Sequence, residues 1–287
     1  MQSLASATPE VPACANLRLL PWLVAIAFFM EALDTTILNT AVPAIAVALG
    51  VAPLSLKSVL ASYTLSLAVF IPISGWMADR FGTRRVFGSA IGIFTLGSLL
   101  CGLASNLPML VAFRILQGFG GAMMMPVGRL TIVRSFPKSE IVRTMAFVAI
   151  PGLIGPLLGP LVGGLLVHYS HWRAIFFINI PIGLIGLVLV YRCLPDFRGD
   201  RSEPLDRLGL VLFGAGIALL SYVLEVFGEH TMSGRAMTGL LAVAITLLAG
   251  YGLHASRTAF PLLDLTLMQL RTFRSSVVGG LLTRLGA

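Results

Sequence analysis

A chain of 287 residues that is 57% apolar and only 11% charged, with mean hydropathy +0.93, cannot pack around one water-facing core. A soluble domain of this length carries about a quarter charged residues, so most of this surface meets lipid and an all-α polytopic membrane protein is expected. The net charge of +8 comes from arginines in short loops rather than from a basic, aromatic-studded patch, so no nucleic-acid partner is expected.

Residues 1–17 read as a polar cytoplasmic tail, without the cationic stretch and apolar core of a cleaved signal. Span 1 is expected over Leu19–Val42, span 2 over Val59–Met77 and span 3 over Val86–Leu103. Span 4 follows at Leu107–Val127, span 5 at Met145–Val167 and span 6 at Ile175–Leu194. Each has about the 20 residues needed to cross about 30 Å of hydrocarbon. These six make an N-terminal half at 18–195. A polar loop at 196–207 then leads to an added pair at 208–254, with span 7 at Leu208–Phe227 and span 8 at Met237–Leu253. The remainder, 255–287, is a mixed loop and a ninth apolar run from Phe273 that stops at Ala287. That run is too short to span, so the sequence reads as the front part of a longer protein whose C-terminal half is missing.

Loop charges set the orientation. With the amino end inside, fifteen arginines and lysines fall on the inner side, against Lys57, Arg173 and Arg235 outside. Basic residues stay cytoplasmic, so an N-in, multi-pass protein of the inner membrane is expected. The densest inner loop is Gly75-Trp-Met-Ala-Asp79-Arg80-Phe-Gly82-Thr-Arg84-Arg85, where Gly75 and Gly82 let two helix ends approach and the chain reverse.

Charges inside the spans are the chemical signal. Glu31 and Asp34 lie three apart, on one face of span 1, and an unpaired carboxylate at that depth costs roughly 2.5–3.5 kcal/mol even on a lenient scale. Counting about 1.5 Å per residue puts Asp34 and Arg114 of span 4 at about the same depth, some 20 Å from the inner face. They are expected to approach each other, and protonating the carboxylate should loosen the pair. A static pair locking span 1 to span 4 is the alternative. Gln117 lies one turn from Arg114 on the same face and can donate to the pair or to a substrate. Gly118, Gly120, Gly121 and Ala122 admit a neighbouring backbone. In span 5, Gly155, Gly159 and Gly163 recur every four residues, and Pro156 and Pro160 remove backbone donors. This surface suits a hinge or sliding contact between halves.

Other chemistry lacks its residues. Cys14, Cys101 and Cys193 are isolated and behave as small apolar groups. His168 and His171 lack the further ligands of a metal set. There is no phosphate-cradling loop and no nucleophile–base constellation, so neither an enzyme nor an ATP-driven pump is expected. His171-Trp172-Arg173 is expected at an outer interface, where tryptophan concentrates.

Taken together, these motifs resemble a known family. Gly75-x-x-x-Asp79-Arg80-x-Gly82-x-Arg84-Arg85 resembles the signature loop of the major facilitator superfamily. The stretch from Leu33-Asp34 through Asn39 to Pro43 is similar to the first-helix motif of its fourteen-helix drug:proton antiporters. Arg114-x-x-Gln117-Gly118-x-Gly120, the glycine-proline run of span 5, and Trp172-Arg173 through Asn179, Pro181 and Gly183 are similar to further motifs of that branch. Thr83 stands where a basic residue is usual. The resemblance implies a major facilitator fold: a six-helix bundle, two extra helices and an incomplete ninth. It implies proton coupling through Asp34 and Arg114 and a gate formed by Gly75, Asp79, Arg80, Gly82, Arg84 and Arg85; Glu31 is expected to share the coupling, and Gln117 and Asn39 to contact substrate. The implied activity is proton-driven export of drugs or other amphipathic compounds, powered by the proton gradient without a cofactor. The implied partners are lipid, small substrates and protons. A same-fold metabolite exporter and a partner-requiring fragment are the alternatives.

Overall fold

The computed structural model describes residues 18–199, 204–226 and 233–285; the tail at 1–17, with Cys14, lies outside them. Every regular element among the described residues is helical, and eight helical stretches are long and apolar enough to cross a membrane. The chain divides near residue 202 into two compact units.

In the first unit, α1 runs Leu20–Leu49 and ends at Gly50, whose φ of 64° is the left-handed turn that closes a helix. It is longer than expected because Pro43 does not end it. A proline inside a membrane helix removes one donor, and neighbouring helices can make good the loss. The expected second span is broken instead. Pro72 lacks the N–H that would continue the ladder, so α2 (Lys57–Phe70) gives way to α3 (Ile73–Phe81), with helical dihedrals kept at Ile71 and Pro72, and the Ile71 carbonyl accepts from both the Ser74 N–H at 3.1 Å and the Ser74 hydroxyl at 2.6 Å. Two long helices follow: α4 covers Thr83–Leu103 and α5 covers Leu107–Ser135, the latter capped by the Asn106 side chain accepting from the Met109 N–H.

Glycines set how closely these helices meet. A side chain at Gly120 would strike the backbone of Phe94 and Ala90 in α4, and one at Gly118 would meet Tyr63 and Ser66 of α2. That contact is why α5 sits deep in the bundle with Arg114 and Gln117 wholly enclosed. Helix α6, Lys138–Tyr169, is continuous through Pro151, Pro156 and Pro160. Its glycine stripe does not face a second half, as the sequence suggested. Gly155, Gly159 and Gly163 are buried against Ala32, Thr36 and Thr40 of α1, inside the same unit. Sterically smooth rows favour close helix packing, and α1 fills this one. The opposite face presents Leu153, Leu157, Leu161 and Leu165 to the surroundings.

Span 6 is also divided, into α7 (Ala174–Phe177) and α8 (Asn179–Cys193). Trp172, between α6 and α7, turns its ring into the bundle. It is 3% exposed and packs edge-on against Phe176, with the Arg173 guanidinium 4.5 Å from its ring. Arg173 is held there by donating to the Ala104 carbonyl at 2.9 Å.

The second unit pairs α9 (Arg207–Val226) with α10 (Gly234–Ala255), and α11 (Arg271–Leu285) follows a short turn. Asp206 ties their ends. Its Oδ1 accepts from the Gly209 N–H at 2.8 Å and meets His254 Nε2 at 2.8 Å, and Oδ2 accepts from the Leu262 N–H at 3.2 Å. Burial pushes the Asp206 carboxyl up, but the bonds from Gly209, His254 and Leu262 outweigh it and hold the group below its ordinary value. The Tyr251 hydroxyl, accepting from the Leu263 N–H at 2.8 Å, fastens the same loop. At fifteen residues α11 is about 22 Å long, short of the hydrocarbon thickness.

Candidate functional site

The described unit at 18–199 brings together the charged residues that depth counting paired. Arg114 Nη1 donates to Asp34 Oδ2 at 2.5 Å, and each side chain is 1% exposed. The same nitrogen donates to Gln117 Oε1 at 2.8 Å, and Gln117 Nε2 donates to Asp34 Oδ1 at 2.9 Å. The three groups close a ring in which the i, i+3 spacing of Arg114 and Gln117 on α5 matches the two carboxylate oxygens. The Arg114 guanidinium also lies 4.1 Å from the centre of the Tyr63 ring, whose face attracts the cation. A fully buried arginine is thereby compensated on two sides.

Glu31 shares this interior. It is 7% exposed, interacts electrostatically with Asp34 and Arg129, and its Oε2 has no hydrogen-bond partner. The Tyr63 hydroxyl is likewise buried without one. Asn39 does not join them. It lies about 140° round α1 from Asp34 and is exposed.

Sequence reasoning missed two members. Asn179, the first residue of α8, donates from Nδ2 to Asp34 Oδ1 at 3.0 Å and to Ser98 Oγ at 3.0 Å. Neither residue carries a charge, so neither stands out within an apolar span. The available signal was the polarity of Asn179 two residues before Pro181, where the helix restarts.

The glycine-punctuated hairpin forms a second constellation. Gly82 takes φ 92°, a conformation costly for any residue with a Cβ, and a side chain there would run into the Asp196 carboxylate. Gly75 has no such duty; it sits within α3 beside open space, and the turn is made at Gly82 alone. Asp79 pairs with Arg134 of α5 at 2.8 Å, both partly exposed. The segment after α8 lies across the hairpin. Thr83 donates to the Pro195 carbonyl at 3.1 Å and accepts from the Phe197 N–H at 3.0 Å, while its own N–H bonds the Phe197 carbonyl at 2.9 Å. Arg84 Nε donates to the Leu194 carbonyl at 2.5 Å, and its N–H to Asp196 Oδ1 at 3.2 Å. The Gly199 N–H reaches the Asp79 carbonyl at 3.1 Å. Thr83 is fully buried, which explains the departure noted in the sequence: a small hydroxyl bonds two backbone groups where a longer cation would have no room. Arg80 and Arg85 are exposed.

Two surface clefts flank α1 and α6, of about 500 Å³ at Pro43–Ala48 and Val167–Trp172, and about 370 Å³ around Arg18, Trp22 and Arg143. Neither reaches Asp34.

Comparison with known proteins agrees with this geometry. The family described as Major Facilitator Superfamily matches residues 24–287. A protein of Serratia proteamaculans named "Putative multidrug resistance protein MdtD" is 45% identical over 266 residues, covering 93% of this chain and 56% of that protein. Its namesake from Pectobacterium carotovorum is 43% identical over 273 residues, 95% of this chain and 58% of its own length. The chain thus spans a little over half the length of these curated relatives. Among solved structures, a POT family transporter in complex with 5-aminolevulinic acid superposes with a TM-score of 0.59 at 17% identity, over 83% of this chain and 54% of that one. A D-xylose-proton symporter gives 0.52 at 17% identity, over 83% and 68%. At such identities the likeness is one of fold.

Proposed function

This chain belongs to the Major Facilitator Superfamily, and from that premise we propose that it serves in the proton-driven export of drugs or other amphipathic organic compounds across the cytoplasmic membrane. The observation that carries this reading is the Asp34–Arg114 pair, 1% exposed on both sides and closed by Gln117. Buried charges inside a membrane are costly and concentrate on ion and substrate paths. In the proposed cycle a proton arriving from outside neutralises Asp34 or Glu31, the hold on Arg114 weakens, and the carrier rocks to its other state. A cationic amphipath entering from the cytoplasm or inner leaflet competes for the same carboxylates, with Gln117 as a donor to its polar groups. Glu31, with an oxygen left unpartnered, favours cationic over anionic cargo.

The rest of the chain takes supporting roles in this proposal. The six-helix half at 18–195 carries the coupling site, the pair at 208–254 is the additional hairpin, and 255–287 leads toward a C-terminal half. The hairpin around Asp79, Arg80, Gly82, Arg84 and Arg85 gates the movement from the cytoplasmic side, and the amino terminus lies on that side too. Pro156 and Pro160 give α6 two missing donors beside its smooth contact with α1, so bending is easiest there.

The test is dye export in everted membrane vesicles. Collapsing the pH gradient should stop accumulation of a cationic dye, and Arg114→Ala should insert normally yet lose the coupled flux. Dye movement unchanged by either treatment would sink the reading. A second reading is that these residues transport only together with a further half, since they match 56% of the length of the Serratia relative. Sizing the native product separates the two.

A further inference from the structure

Asp34 is held from two helices besides its own, and charge accounts for one of those holds. Arg114 takes Oδ2. Oδ1 accepts from Gln117 and, at 3.0 Å, from Asn179 of α8, which is 1% exposed. The partners fix which way the Asn179 carboxamide points. Ser98 donates its only hydroxyl proton to the Phe176 carbonyl at 2.8 Å, so toward Asn179 it can only accept. An ionised carboxylate can only accept as well. Both therefore require the nitrogen, and the nitrogen faces both. What remains is Asn179 Oδ1, buried and without a hydrogen-bond partner. Such a group is normally satisfied in a folded protein, and its cost calls for an explanation. By contrast, Gln117 Oε1 already accepts from Arg114 and faces the Cys101 thiol at 3.8 Å.

We propose that Asn179 is the positioning residue that senses whether Asp34 carries a proton. The ionised carboxylate takes the Asn179 N–H. Once protonated, Asp34 becomes a donor and needs an acceptor, and the carboxamide turns over to present its idle Oδ1. This rests on the proton-coupled reading above and extends it to a neutral residue. The turn also exchanges nitrogen for oxygen in front of Ser98. The Ser98 hydroxyl then swings from the Phe176 carbonyl to Asn179 Oδ1, withdrawing one of the donors to a backbone carbonyl beside the joint between α7 and α8. Protonation on α1 is thus delivered to α4 and to that joint without moving any further charge. The titratable groups that interact with Asp34 are Glu31 on its own helix, Tyr63 from α2, Cys101 from α4 and Arg114 from α5. Of these, Glu31 Oε2 and the Tyr63 hydroxyl are also buried without a hydrogen-bond partner and are the rival acceptors.

Infrared pH-difference spectra of the purified full chain in lipid nanodiscs test this. The band of the protonated Asp34 carboxyl is identified by its loss in Asp34→Asn. Asn179→Leu should shift that band up to the frequency of an acid with no acceptor. A band that stays in place in Asn179→Leu, or moves in Glu31→Gln or Tyr63→Phe instead, overturns the proposal while leaving proton coupling intact. Absence of any Asp34 band in the wild type overturns the proton reading itself, and the proposal with it. A second measurement needs no variant at Asn179. The chain has four asparagines, Asn16, Asn39, Asn106 and Asn179, so carbon-13 labelling of their side-chain carbonyls gives few bands. One should move with pH in step with Asp34 and stay fixed in Asp34→Asn; four pH-insensitive bands would refute the turnover.

Discussion

Replacing the two buried charges singly and together is the most direct probe of the site. With the contacting atoms at 2.5 Å, the charge centres lie about 4 Å apart, and at an effective dielectric of about 20 they attract by about 4 kcal/mol. Salt screens little of this, since each side chain is 1% exposed. Arg114→Met leaves the Asp34 carboxyl with only amide donors, and Asp34→Asn leaves a guanidinium facing Tyr63 and Gln117. Breaking a buried pair from one side typically costs about 3–5 kcal/mol, because the remaining charge stays buried and uncompensated. The double variant buries no charge, so it should be more stable than the two single losses sum to, by at least about 2 kcal/mol. Equilibrium unfolding in mixed micelles at neutral pH reads all four proteins. Additivity within about 0.5 kcal/mol, the behaviour of independent sites, would refute the claim that these groups act as one buried unit.

Further expectations concern packing, the hairpin and the second unit. Gly159→Ala and Gly163→Ala push a methyl into Thr36 and Thr40 of α1 and should each cost about 1–3 kcal/mol. Gly164→Ala, with open space around it, should change the unfolding midpoint little. Gly82→Ala combines a positive φ with a collision at Asp196 and should cost about 1–3 kcal/mol, seen as faster trypsin cleavage at Arg80, Arg84 and Arg85; unchanged cleavage rates would contradict it. Asp206 is held below its ordinary value in the fold, so its contribution to stability is present above about pH 4 and is lost as pH falls through the folded value. The thermal-stability gap between wild type and Asp206→Asn should therefore shrink from about pH 5 to pH 3, and a constant gap would count against it.

The Asp34–Arg114 meeting was legible because charges are rare in apolar spans and a fixed rise per residue converts position into depth. Eight spanning stretches and the orientation of the glycine rows toward close packing followed from the same arithmetic. Asn179 was not legible in that way. An uncharged amide is tolerated in a span at modest cost, and the local motif that contains it does not point to a partner 145 residues away. The target of the α6 glycines was hidden for a related reason: a smooth row states that something comes close but carries no label for which helix does. Proline was ambiguous in a different sense. Pro72 interrupts a helix while Pro43, Pro156 and Pro160 lie inside continuous ones, so the residue type alone does not say whether a span breaks.

The strap across the hairpin has a consequence for biosynthesis. Thr83 finds its acceptor on Pro195, 112 residues later in the chain. At about 5–20 residues per second, Thr83 waits roughly 6–22 s of translation before its partners exist. During that interval the Thr83 hydroxyl and the Arg84 side chain lack the acceptors they bond in the fold. The segment that follows α8 is therefore the one that seals the turn between α3 and α4, so a pause or truncation before Gly199 would leave the hairpin unsealed in an otherwise inserted chain.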